Sequence, residues 1–292
     1  MTAADPDVPT NRGRWGADDE LGTLNHITDQ VRARAVAEAR LGRVVSLAQP
    51  LHPVPLSGGG PLAHTPVPMP APVQQVVSLH GSPAIAVTDV LVINTHSATM
   101  THLDALGHVP VDGEIYPGVP VGEAVAGGTL RHGSTTAFAD GIVTRGVLLD
   151  LAPGDRLDAG HAVTADDLDA AERRSGAHLD SGDALIVRGG WMVGAHPQDE
   201  LPHLTADAVR WMAEREVSLY GGDIGDRVGV PGGLALHEIG LARLGMPLVD
   251  AVQVDGLAAT CAELGRTAFL LTIGPIPVHG ATGVPVNPLA IF

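Results

Sequence analysis

The sequence holds a single cysteine, Cys261, among 292 residues. An intramolecular disulfide is therefore impossible, and a zinc site built from cysteines alone is excluded. A chain of this size without disulfides fits a reducing compartment. Aromatic residues make up only 3%, so the core has to be assembled from Ala, Val, Leu and Ile, which argues against a large stacking pocket. Basic side chains are scarce as well: 17 stand against 33 acidic ones, a formal net charge of -16. Such a field repels nucleic acid and anionic membranes. No run reaches the ~18 consecutive apolar residues of a membrane span. The N-terminal stretch shows no basic segment leading into an apolar one. We expect a cytoplasmic protein with no nucleic-acid or membrane partner.

Several catalytic signatures are also missing. There is no GxSxG, no phosphate-binding loop and no GxGxxG, so nucleophilic serine chemistry and nucleotide cradling have no foothold. LHEIG places His237 beside Glu238, but Leu241 fills the fourth position after His237, so this is not the HExxH of metalloproteases.

What is present is an apolar fraction of 45%, enough for a sizeable core. Helices are predicted over 28–43, 164–176, 205–216, 234–245 and 254–265. Thr caps open the second and third, and Gly176 ends the second. Strands are predicted at VVSLAQPL, over 84–95, 146–152 and 183–191, at VSLYGGD and over 267–278; several carry unalternating apolar runs, as buried strands do. Strands interleaved with helices make an α/β protein. Residues 53–83, rich in Pro and Gly, read as a long irregular excursion, either over a pocket or a subunit contact or as a plain surface loop.

The stretch MTHLDALGH, 100–108, concentrates the chemistry. His102 and Asp104 are two apart, so on an extended segment they share a face. His108 follows after a turn, and His96 lies six residues before His102. Imidazole and carboxylate together suit Zn, Mn or Fe, and an unmetallated histidine can act as a base near neutral pH. GGDIGDRVGVPGG adds Asp223 and Asp226 after a strand, either as a pocket edge or as ordinary turn residues.

These pieces, in this order, resemble the cyclase family that includes bacterial kynurenine formamidase and isatin hydrolase. RWGADDELGTLNHIT is similar to the opening of its longer members, and RVVSLAQPL to the strand that follows. THLDALGHV with DGEIYPG resembles the HxGTHxDxPxH element and its sequel. GDALIVRGGW, LYGGD, LHEIGLARLGMPLVD and GPIPVHGATGVPVNPLAI resemble the later segments. The resemblance covers most of the chain. It implies a swivelling β/α/β fold in a single hydrolase domain, 28–292, behind a leader, 1–27. It also implies a homodimer or homotetramer acting on a small-molecule substrate.

The site residues follow from the same resemblance. One divalent metal, Mn or Zn, is expected on His102 and Asp104, with His96 and Asp250 contributing. His108 and His237 take catalytic roles, and Asp223 and Trp15 fall to the substrate. Two departures stand out: Ala98 occupies the position of the family's first ligand histidine, and Asp250 that of a glutamate. His96 substitutes for that histidine only if the strand bulges. The implied reaction is hydrolysis of an amide, lactam or lactone bond. The alternatives are cyclisation or dehydration of a ketone or polyketide-like substrate, and a metal-free binding protein that kept the fold.

Overall fold

Runs of four or five apolar residues bury a strand on both faces, and in the computed structural model of the chain, which describes residues 8–55, 72–191 and 201–292, they form the centre of one large sheet. In chain order its strands and those of a small outlying sheet are β1 (Val44–Ser46), β2 (Val54–Pro55), β3 (Val73–His80), β4 (Ala86–Ile93), β5 (His102–Asp104) and β6 (Ile142–Asp150). They continue as β7 (Ala184–Arg188), β8 (Leu219–Gly222), β9 (Leu248–Asp250), β10 (Ala268–Ile273), β11 (Gly283–Pro285) and β12 (Leu289–Ile291). The nine-stranded sheet runs β1-β12-β10-β6-β7-β8-β9-β5-β11. Its central strands β6, β7, β8 and β9 are parallel, and the flanking pairings are antiparallel. This is a mixed α/β single domain. Leu149, Leu185, Val187, Leu219, Phe269 and Leu271 are fully buried in its core.

Local signals placed most helices. α1 (Asp29–Val36) starts where the Thr28 hydroxyl accepts from the Val31 amide. α2 (Ala165–Ser175) carries a reciprocal Thr164–Asp167 capping box and ends at Gly176, whose φ of 67° is left-handed. Thr205 caps α3 (Ala206–Glu214), and α4 (Asp255–Leu264) stops at left-handed Gly265.

Four expectations are corrected. α1 ends at Val36, well before Gly42, because the backbone turns away after Ala37. The strand expected over 267–278 stops at Ile273, before Gly274 and two prolines that donate no ladder bond. The segment 236–241 is a π-helical turn in which the Ala242 amide donates to the His237 carbonyl, five residues back. Within the excursion expected over 53–83, β3 is a regular eight-residue strand paired with β4 from Val73↔Ile93 to His80↔Ala86; Val73, Val76 and Val77, set against the β-branched run of β4, outweigh the neighbouring prolines. Residues 56–71 of that excursion lie outside the described residues.

Residues 8–27 lie against the rest of the chain: the Asn11 amide donates to the Arg243 carbonyl and the Thr23 amide to that of Gly245. Gly22 is required there, because a Cβ would sit 1.9 Å from the Gly245 carbonyl oxygen at a φ of 56°. Among the described residues, no helix is long and apolar enough to cross a membrane.

Candidate metal centre

β5 lies between β9 and β11, with His102 opposite Asp250 and Asp104 opposite Gly283. Strand alternation turns Leu103 into the core and puts His102 and Asp104 together on the other face. The site thus forms beyond the carboxyl ends of β8 and β9, where open α/β sheets leave a crevice.

Asp104 is the centre of the cluster. Its side chain is fully buried, and among the described residues neither carboxylate oxygen has a hydrogen-bond partner of good geometry. Around it, His96 Nδ1 lies 3.0 Å and His102 Nε2 3.4 Å from Oδ1, while His237 Nε2 lies 3.4 Å from Oδ2. Burial opposes ionisation of this carboxyl, yet His237, His96, His102 and His108 outweigh it and hold it below the usual carboxylate range. A buried charge without hydrogen bonds is costly unless something compensates it. Two overlapping sets of donor atoms, His96–His102–Asp104 and Asp104–His108–His237, lie within 4.8 Å of one another.

Each of the three imidazoles that face Asp104 has its other nitrogen engaged. His102 Nδ1 is 2.8 Å from the Met100 carbonyl oxygen, to which it donates. His237 Nδ1 is 2.8 Å from Asp226 Oδ2, and Asp226 also accepts from the backbone amides of Leu236 and His237. His96 Nε2 is 2.9 Å from Thr282 Oγ1. This is how ligand histidines are oriented: one nitrogen anchored, the other presented.

His96 reaches the cluster from a turn, not from the bulged strand expected of it. Residues 94–100 form no strand and turn through bonds such as Met100 N–H to the Ser97 carbonyl, swinging His96 over Asp104. Gly283 makes room for it, since a Cβ there would lie 2.7 Å from His96 Cε1. Ala98 lines the cavity beside it.

His108 stacks on His96 with ring centroids 3.7 Å apart and planes 1° from parallel. Burial, with the neighbouring histidines, pushes its pKa down to about 4 against the pull of Asp104, so its ring is neutral. For His237 burial also works against the charge, but Asp104 and Asp226 overcome it and push the pKa up to about 11. Asp250 Oδ2 is 4.0 Å from His237 Nε2, and burial followed by the charge of Asp104 raises its pKa.

A cavity of about 270 Å³ opens onto these groups, lined by His96, His102, His108, His237 and Asp250, with Ile224 and Val228 among the apolar contacts. Asp223 lines it too, but its carboxylate accepts from the Gly189 and Trp191 amides at 2.6 and 2.9 Å. Burial, against those donors, pushes its pKa up to about 7. Trp15 lies away from this wall, edge-on to His26 with centroids 5.1 Å apart. Sequence reasoning offered Asp226 only as a pocket edge or turn residue, and assigned no role to Thr282 or Gly283. The first sat in a flagged loop, and the other two lie more than 180 residues from the histidine they position.

The Cyclase family model matches residues 45–226, and the chain belongs to this family. Among solved structures, that of a novel cyclase is 26% identical, with 97% of each chain covered and a TM-score of 0.82. An isatin hydrolase bound to the product analogue thioisatinate is 18% identical, with 91% of this chain and 99% of that one covered and a TM-score of 0.61. A protein from Bacillus stearothermophilus described as a predicted metal-dependent hydrolase is 14% identical, with 85% and 97% covered and a TM-score of 0.52. The latter two share the fold. No curated protein sequence matches the chain.

Proposed function

We propose that this chain is a metal-dependent hydrolase that opens an amide, lactam or lactone bond of a small molecule. One observation carries the reading: a buried carboxylate with both oxygens unbonded, faced by three imidazoles each anchored through its other nitrogen. These donors fit a borderline cation such as Mn or Zn, held by His96, His102 and Asp104 with His237 and Asp250 alongside. Such an ion would supply Lewis acidity, lowering the pKa of water from ~15.7 toward ~7 and polarising a carbonyl.

The chain's own residues do the rest. His108, neutral and braced on His96, takes the proton from the attacking water and returns it to the leaving nitrogen or oxygen. Asp226 fixes the ring of His237 so that Nε2 keeps facing Asp104. The cavity of about 270 Å³ is of a size to take a small molecule. Isatin hydrolase, which shares the fold, supports a cyclic amide as the first substrate to try.

One observation favours a metal-free binding protein: protonated His237, between Asp104 and Asp226, can itself compensate the buried charge. The two readings separate when the protein, supplied with Mn or Zn, is incubated with amides, lactams and lactones. A product heavier by one water supports the hydrolase. A product lighter by one water points to cyclodehydration. Ligand binding without turnover and without metal uptake would replace the reading with the binding protein.

A further inference from the structure

We propose that the cleft between α2 and α4 is a second binding site, for a small monocarboxylate with a compact apolar body. The cleft has a volume of about 320 Å³, large enough for a small ligand, and shares no lining residue with the cavity at the Asp104 cluster. Its floor is apolar. Leu148 of β6 and Ala171 of α2 are buried there, and Ala258 and Cys261 form the wall on α4. Their spacing of three residues sets Ala258 and Cys261 on one helical face. Burial pushes the Cys261 thiol up to about 12, so it is uncharged and belongs with the apolar surface.

Charge identifies the occupant. Three charged residues line the cleft, Asp150, Arg174 and Arg266, and two of them are matched within the chain. Asp150 Oδ1 accepts from Arg188 Nη1 at 3.0 Å; Asp255, the other partner of Arg188, does not line the cleft. Arg266 pairs with Glu38. Arg174 is different. Its Nη2 donates to the Asp150 backbone carbonyl at 2.6 Å, which holds the guanidinium at the rim without cancelling its charge. Among the described residues no carboxylate pairs with it. A chain of net charge -16 repels anions at a distance, so one is retained only where an uncompensated cation adjoins apolar surface. A single planar guanidinium matches the two oxygens of one carboxylate, whereas a phosphate dianion would keep an unmatched charge. No residue of the Asp104 cluster takes part, so this inference does not depend on the hydrolase reading.

Amide NMR spectra of the full chain, titrated with benzoate and with uncharged benzamide of the same shape, test it. Benzoate should shift the amides of Ser175, Ala258, Cys261 and Gly265, and benzamide should bind there at least about tenfold more weakly, the worth of one charge-assisted contact. Arg174→Gln should weaken benzoate by a similar factor while leaving the remaining amide positions in place. Three results would overturn the proposal: no shift at those amides, shifts confined to Gly222, Gly225 and His237 at the other cavity, or benzamide binding as tightly as benzoate. Equal benzoate affinity in a folded Arg174→Gln would overturn it too. If that variant does not fold, the comparison of benzoate with benzamide on the wild type decides.

Discussion

At the scale of single residues, the anchoring partners of the imidazoles decide the chemistry as much as the imidazoles themselves. Asp226→Asn keeps an acceptor oxygen for only one of the Leu236 and His237 amides, which reach separate oxygens of the carboxylate, and removes the charge behind His237. Calorimetric titration with Mn or Zn should show affinity reduced by about 10–100-fold, the usual effect of losing an outer partner, with the far-UV spectrum unchanged. Gly283→Ala would drive a methyl against His96 Cε1 at 2.7 Å and the Leu103 carbonyl at 3.0 Å. It should cost about 1–3 kcal/mol in urea unfolding and weaken metal binding as well. His108→Ala should leave the fold intact and cut turnover at least about a hundredfold on any substrate identified. Retention of near-normal turnover would remove His108 from the reaction.

At the scale of elements, Asp223 ties the segment after β7 to the loop after β8 through the Gly189 and Trp191 amides. Its carboxyl is raised from 3.8 to about 7 by burial, so between those values the folded chain keeps a proton that the unfolded chain has lost. Stability from this group therefore falls as pH rises through that window and is level above it. Asp223→Asn should remove this part of the slope, seen as the difference between wild-type and variant unfolding free energies from pH 4 to 8. An unchanged difference across the window would place the carboxyl at its ordinary value.

The same scale separates what the sequence discloses from what it hides. Helices α2 and α3 were legible because Thr164, Asp167, Gly176 and Thr205 act within a few residues of themselves. The pairing of His102 with Asp104 was legible because strand alternation is local. His96 was a candidate from the sequence, but how it reaches them was not legible, because its position depends on a turn at 94–100 and on Thr282 and Gly283 far along the chain. The π-helical turn that offers the His237 amide and ring to Asp226 leaves no periodicity to read. β3 was obscured by the prolines around it.

At the scale of the whole molecule, a net charge of -16 favours cations at the cavity and opposes association of two copies. Added salt screens that repulsion over a Debye length that shrinks from ~10 Å at 0.1 M to ~3 Å at 1 M. Affinity for a divalent cation at the cavity should weaken with salt by the same screening, and calorimetric titration at low and high ionic strength would show it. An affinity that does not change with salt would confine the attraction to the buried groups of the site.

The central claim is that the Asp104 cluster holds a divalent cation. It is tested most directly by elemental analysis of protein purified without chelator, before and after addition of Mn and Zn. About one equivalent per chain is expected in the wild type and none in Asp104→Asn. A folded wild type that neither retains nor acquires metal would contradict the account and leave protonated His237 as the partner of the buried carboxylate.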